Sequence, residues 1–198
     1  EKTSAEKLII ENNTLVGAKT DAGIVYADMT VVATGAWTSL IKLGDTDLPV
    51  KIEPVRGQIV AFQAAKRLFQ HVMCSRRGYI VPRRDSRILA GSTSENVGFD
   101  KSVTESAVLS IREMACEITQ VIADLEIADR WAGLRPYASD GLPVLGLISG
   151  VDGLFMATGH YRNGILLAPL TAKLTAEYLV DGTDSEYLKT FGAERFLF

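Results

Sequence analysis

The chain has 198 residues, of which 47% are hydrophobic and 23% charged, a balance that excludes a disordered polypeptide. Lys and Arg number 21 against 24 Asp and Glu, so the net charge of −3 gives no electrostatic ground for binding nucleic acid or an anionic membrane. No apolar run reaches the roughly 18 residues of a spanning helix, and the first seven residues lack the apolar core of a signal peptide.

Residues 8–10 and 14–20, separated by Asn12-Asn13, read as strand, turn and strand, and Asp21-Ala22-Gly23 turns the chain into a third strand. Thr30-Val31-Val32-Ala33 has the short, apolar form of a strand buried on both faces. Gly35 ends it, a short helix is expected over 37–43, and the polar stretch 44–49 marks a boundary near residue 48. Residues 55–62, 71–75, 78–81 and 88–92 are strand-like, with Arg83-Arg84-Asp85-Ser86 as a turn, and their spacing predicts an antiparallel sheet. Residues 102–125 carry the clearest helical signal: Val103, Ala107, Ile111, Met114, Ile118, Val121 and Leu125 form one apolar stripe, and Ser102 with Glu105 fits a capping box. That helix is expected on one face of the sheet. Residues 127–134 read as a further strand and 153–158 as a short apolar one. Residues 165–180 read as a helix whose first turns Pro169 should disturb and which Gly182 ends. The fold class is α+β, an antiparallel or mixed sheet with a packed helix beside a smaller apolar sheet.

Few residues stand in patterns that carry chemistry. Residues 154–169 form a strand, a glycine-flanked turn and a helix start, where free backbone N–H groups favour negative charge on a phosphate, a carboxylate or an anionic ring edge. An ordinary strand–helix connection has the same pattern. Val31-Val32-Ala33-Thr34-Gly35 repeats the strand-then-small-residue form. Arg135, at the end of an apolar strand, can grip a carboxylate bidentately or pair with an acidic neighbour. Tyr79 can present its hydroxyl to a ligand or serve the core. His71 and His160 are the two histidines, too few for a metal cluster, and Cys74 and Cys116 lack metal or redox spacing, so no metal is expected and a reducing, cytoplasmic compartment is the default. The arginines at 76, 77, 83, 84 and 87 read as a solvated hairpin. Gly-x-Gly-x-x-Gly, Walker, Gly-x-Ser-x-Gly, Cys-x-x-Cys and His-Glu-x-x-His motifs are absent from the sequence.

Taken together, Val31 to Trp37, Pro54-Val55-Arg56-Gly57-Gln58, Tyr79-Ile80-Val81-Pro82-Arg83, Trp131-Ala132-Gly133-Leu134-Arg135-Pro136 and Gly159 to Pro169 resemble the flavin-dependent amine and amino-acid oxidases of the D-amino-acid oxidase superfamily. Within it the sequence is most similar to the bacterial glycine oxidases of thiamine biosynthesis. The resemblance covers essentially the whole chain and implies two intertwined parts: a Rossmann-like domain for FAD, and a sheet that roofs the flavin and forms the substrate pocket. It assigns residues 1–48 and 131–198 to the FAD-binding domain and 49–130 to the substrate-binding domain. With no Gly-x-Gly-x-x-Gly loop and no Met at position 1, the chain reads as the C-terminal half of a family member, since two such domains need about 100–200 residues each.

The resemblance also implies roles. Arg135 would bind the substrate carboxylate, Tyr79 would assist it, and Arg162 would lie close to substrate and flavin. Ala33, Thr34, Gly35, Gly159, His160, Tyr161, Arg162, Asn163, Gly164, Ile165 and Leu166 would line the cofactor. Ser94 would line the substrate pocket, at a position where glycine oxidases carry a bulkier residue. The implied reaction passes hydride from the Cα of glycine or another small amino acid or amine to FAD. The imine hydrolyses to a keto acid, and dioxygen reoxidises the flavin with release of peroxide. Alternatives are a related dehydrogenase, or an isolated chain that is folded, cofactor-free and inactive. An apolar surface on residues 31–33 and 154–157 is expected to be exposed and to be covered by a partner, such as a second copy in a homo-oligomer.

Overall fold

The computed structural model describes residues 2–196. In chain order it contains β1 (Ala5–Glu11), β2 (Thr14–Thr20), β3 (Gly23–Tyr26), β4 (Thr30–Val32), β5 (Lys42–Leu43), β6 (Thr46–Asp47), β7 (Ile52–Gln63), β8 (Met73–Cys74), β9 (Tyr79–Pro82) and β10 (Arg87–Gly91). Then follow α1 (Glu105–Ile118), β11 (Glu126–Ala138), β12 (Val144–Leu147), β13 (Leu154–Thr158), α2 (Gly164–Asp181) and α3 (Glu186–Thr190). The chain divides into two compact units. One comprises residues 1–54 and 135–198, the other residues 55–134, and the chain passes between them within β7 and within β11.

The discontinuous unit holds two sheets. One has the strand order β3-β2-β1-β5-β6, and the other has the order β12-β13-β4. As the sequence implied, the two apolar strands are neighbours: β4 and β13 run parallel, with Val31 opposite Phe155 and Val32 opposite Met156. Leu154, Phe155 and Met156 are fully buried, each a contribution of about 1.5–3 kcal/mol from apolar burial. Val31 keeps 36% of its surface, so β4 is covered on one face only. The stretch expected to be a helix over 37–43 is a 3₁₀ helix at Gly35–Leu40 followed by β5. The segment after it contributes Leu48 and Val50 to the core of the same unit.

β12 and α3 were not expected from the sequence, although α3 carries a local signal in its Ser185 N-cap, which accepts from Leu188 N at 3.3 Å, with Glu186 in the first turn and Lys189 in the last. Val144-Leu145-Gly146-Leu147 becomes a strand through its antiparallel pairing with β13. The α2 helix runs through Pro169 without a break, against the expectation that proline would disturb its first turns. Gly182, at φ 66°, ends it in the left-handed conformation that glycine adopts without a Cβ penalty.

The continuous unit is a sheet of order β11-β7-β10-β9-β8 with α1 packed on one face. β7–β10, β10–β9 and β9–β8 are antiparallel, as their spacing predicted. Val60, Phe62, Ile80, Ile88 and Ala90 meet Val108, Ile111, Met114 and Ala115 in its core. The helix is shorter than its apolar stripe suggested. Thr104, rather than Ser102, is the N-cap, accepting from Ala107 N at 3.4 Å, because Ser102 is held by Asp100 through its backbone N–H (2.8 Å) and its hydroxyl (2.9 Å). Beyond Thr119 a 3₁₀ turn rotates the stripe, so Ile122 is buried and Val121 is exposed.

Arg195 ties the end of the discontinuous unit to the turn after β11. It pairs with Asp140 at 2.6 Å and donates to the carbonyls of Phe191 (2.7 Å), Gly192 (2.7 Å) and Pro143 (2.7 Å). Burial pushes the Asp140 carboxyl up, but the hydrogen bond from Arg195 and the backbone bond from Leu142 hold it below the usual carboxylate value. Arg195→Ala is expected to destabilise the protein by about 2–3 kcal/mol, because several acceptors and a carboxylate lose their partner together. Chemical denaturation checks this, and a change under about 0.5 kcal/mol would contradict it.

Candidate functional site

The structure brings most of the singled-out residues together in the discontinuous unit. Ala33, Thr34 and Gly35 follow the end of β4, and Gly159 to Leu166 follow the end of β13, which lies beside it. The carboxyl ends of adjacent parallel strands are where open α/β sheets bind ligands. Both exits need glycine: Gly35 has φ 55° and Gly159 has φ 74°, and a Cβ on Gly159 would lie 3.3 Å from the Leu142 carbonyl oxygen.

Hydroxyl groups lock the two exits to each other. Thr38 Oγ1 lies 2.9 Å from Thr158 Oγ1 and donates to the Gly35 carbonyl at 2.8 Å. Thr34 Oγ1 donates to Thr38 at 3.1 Å. Thr38 and Thr158 are both buried. Neither was singled out from the sequence. The available signal was their place next to the two glycine exits, and it gives no hint that the side chains meet.

Arg135 enters the same region through its strand. Beyond it on β11, the Pro136 carbonyl accepts from Tyr161 N at 2.9 Å, and Tyr137 bridges to His160. The Tyr137 and Tyr161 rings pack edge to face at 5.0 Å. Arg162 is exposed and stands 5.4 Å over the Tyr161 ring. Tyr161 itself has φ 49°, a left-handed conformation rare for a bulky residue. The strand carrying Arg135 and the loop carrying Arg162 are thus joined by backbone pairing. Tyr79 and Ser94 belong to the other unit, on β9 and just after β10.

Asn163 precedes α2 and makes no side-chain capping bond, and the first turn of the helix contains no acidic residue. Its amides therefore leave a partial positive charge that no side chain of that turn neutralises. Ile165 and Leu166 are 97% and 77% exposed there. Val31, Ala33, Ala157, Gly164 and Ala168 line an apolar groove of about 460 Å³ beside it. Of the apolar surface expected on residues 31–33 and 154–157, Val31, Ala33 and Ala157 line this groove, whereas Leu154, Phe155 and Met156 are fully buried. His160 sits on the groove with Nε2 2.9 Å from Thr171 Oγ1, fastening the loop to α2. Among the described residues no cluster of His, Cys, Asp and Glu is arranged to hold a metal. No helix among them is long and apolar enough to cross a membrane.

Residues 1–178 match the family model of FAD-dependent oxidoreductases known as DAO. The chain belongs to that family. It is 38% identical over 180 residues to glycine oxidase of Pseudomonas aeruginosa, a match covering 90% of this chain and 49% of that protein. Among solved structures, glycine oxidase from Bacillus cereus aligns with a TM-score of 0.86 at 32% identity, covering 96% of this chain and 52% of the other. L-Proline dehydrogenase from P. horikoshii aligns with a TM-score of 0.89 at 25% identity, covering 100% and 54%. The chain thus spans about half the length of the relatives it matches.

Burial pushes the His160 imidazole below its ordinary value, so the fold prefers the neutral ring. A depressed histidine stabilises the fold fully above its unfolded value of about 6.5, and that stability is lost as pH falls below it. Melting temperature is expected to drop as pH falls below about 6.5, and more steeply than in His160→Gln. Equal slopes in the two proteins would remove His160 as the cause.

Proposed function

We propose that the full-length protein is an FAD-dependent oxidase of glycine or another small amino acid. In this reading the discontinuous unit belongs to its FAD-binding domain, and residues 55–134 form its substrate-binding sheet. The observation that carries the proposal is the joining of Arg135's strand to the 159–164 loop at the open end of two parallel strands. Bound FAD supplies a two-electron acceptor for the Cα–H bond of the substrate.

The residues present fit a flavin. The uncapped start of α2 suits the electron-rich pyrimidine edge, and Gly35 and Gly159 allow close approach of backbone to a planar ring. Ala33, Thr34 and His160 to Leu166 would line it. The 198 residues contain no Gly-x-Gly-x-x-Gly loop to cradle the pyrophosphate of FAD. The isolated chain is therefore expected to bind FAD weakly and to turn over no substrate. The apolar groove beside α2 is proposed as a face covered by the rest of the longer protein.

Arg135 is assigned the substrate carboxylate. Its guanidinium stays charged at all working pH and matches a carboxylate with two parallel N–H donors. Arg162 adds a second positive charge from the loop, and Tyr79 offers a hydroxyl for orientation. No acid–base pair is required of these residues, because their task is to bind the amino acid with its Cα–H aligned and to keep the site positive. Ser94 is proposed as a pocket-lining position that leaves more room than a bulkier residue would.

A dehydrogenase with another electron acceptor is the second reading. The observation behind it is the extent of the match to L-proline dehydrogenase, which covers this chain entirely. Reoxidation of the reduced protein by dioxygen distinguishes the two: an oxidase releases peroxide rapidly, and a dehydrogenase does not.

In the full-length protein, Arg135→Ala is expected to lower kcat/KM for glycine by roughly 30- to 1000-fold, the cost of losing a charged carboxylate partner. Peroxide release checks this, and an undiminished rate would refute the role of Arg135. The purified 198-residue chain is expected to lack flavin absorbance, and stoichiometric FAD in it would refute the expected weakness of binding.

A further inference from the structure

Pro54-Val55-Arg56-Gly57-Gln58 has no role in the chemistry above, yet Arg56 and Gln58 are among the few buried polar residues, at 4% and 1% exposure. Both extend from β7 on the face that Val60 and Phe62 give to α1. Arg56 pairs with Glu95 at 2.6 Å and with Asp100 at 2.6 Å. Gln58 donates to Glu95 at 2.9 Å and accepts from Thr104 N at 2.8 Å, at the start of α1. Thr93 accepts from Gln58 N at 2.9 Å and donates to Glu95. Backbone bonds between Arg56 and Glu95, at 2.9 and 3.0 Å, resume pairing with β7 beyond Gly91, one residue out of the register in which Gly91 faces Ile59.

This pairing fixes which residue of Thr93-Ser94-Glu95 points where. Thr93 and Glu95 turn toward Arg56 and Gln58, and Ser94 between them is exposed. Alternation puts Ser94 on the face opposite α1. Tyr79, next to the α1-facing Ile80, is on that face too, with its hydroxyl 3.5 Å from where a Cβ on Gly91 would stand. A slip of one residue would exchange the faces of Ser94 and Glu95 and set a carboxylate beside Tyr79.

We propose that Arg56 is a positioning residue that holds the Glu95 carboxylate away from the substrate face and keeps Ser94 on it. The inference rests on the proposed function, in which Tyr79 and Ser94 serve a substrate with its own carboxylate. Glu95 turned to that face would repel such a substrate. The buried guanidinium makes the other register costly, because it would leave Arg56 with one carboxylate in place of two. Burial pushes the Glu95 carboxyl up, but hydrogen bonds from Arg56, Thr93 and Gln58 hold it below the usual carboxylate value, so Glu95 stays ionised at neutral pH.

The test uses the full-length flavoprotein and a double-mutant cycle. Arg56→Met is expected to raise KM for glycine by about tenfold or more while kcat changes by less than about threefold, since repulsion acts on carboxylate binding. Adding Glu95→Gln to Arg56→Met is expected to bring KM back to within about threefold of wild type, because the freed charge is gone. Arg56→Gln, which also removes the charge, serves in the same cycle where Arg56→Met yields no folded, flavin-containing protein. Asp100→Asn touches the same guanidinium outside the 93–95 segment, and is expected to lower the melting temperature and leave KM alone. An unchanged KM in folded Arg56→Met, or a double variant no better than the single, overturns the proposal. A wild-type protein that oxidises no small amino acid overturns the functional reading and this inference with it. An active wild type with an unresponsive cycle overturns the inference alone.

Discussion

The parallel pairing of β4 with β13 is the constraint on which the discontinuous unit depends. It joins residues 30–32 to residues 154–156, and a buried hydroxyl pair, Thr38 with Thr158, closes the junction 120 residues apart in sequence. Such a contact gains nothing until a long loop has closed, and the entropy of closure grows only slowly with loop length. An entire second unit can therefore lie between the two strands. The chain leaves and returns within continuous strands, β7 and β11. Once β4 and β13 are side by side, both glycine exits open at the same end.

Three arginines show how surroundings divide one side chain among different tasks. Arg195 is spent on carbonyl oxygens and Asp140, which makes it a clasp for the end of the chain. Arg56 is nearly inaccessible and faces two carboxylates, which suits the choice of one register over another. Arg162 is exposed and rests over Tyr161, which leaves its charge directed at whatever approaches the loop.

The sequence made local patterns legible and left distant ones obscure. The α1 stripe was readable because helical period alone produces it, and the β9–β10 turn because its residues are adjacent. The capping signal at Ser102 misled because Asp100 competes for that serine from two residues away. β12 left no trace, since a four-residue run containing glycine becomes a strand only beside β13. Pro169 was read as a disturbance, yet α2 continues through it and forgoes only the backbone bond that a proline nitrogen cannot donate. For the site, the strand–glycine–helix form pointed to a place where negative charge is welcome. The roles of Arg135 and Tyr79 came from resemblance to a family rather than from spacing. The Arg56–Glu95 pair spans 39 residues, and nothing local announces it.

The electrostatics of the site-bearing segments run against the charge of the whole. The chain carries −3, yet residues 30–38 and 159–166 contain no carboxylate. α2 begins without the acidic residue that commonly neutralises a helix N-terminus. In the proposed function Arg135 and Arg162 add two positive charges to that partial one. In the other unit, the carboxylate adjacent to the proposed pocket position is Glu95, and Arg56 engages it. In the proposed function a carboxylate substrate and an electron-rich ring require negative side chains to be kept away; residues 30–38 and 159–166 do so by composition, and Arg56 does so for Glu95 by pairing. Under the proposed function, keeping negative charge away from the substrate gives the unneutralised helix start and the buried Arg56–Glu95 pair a common physical cause.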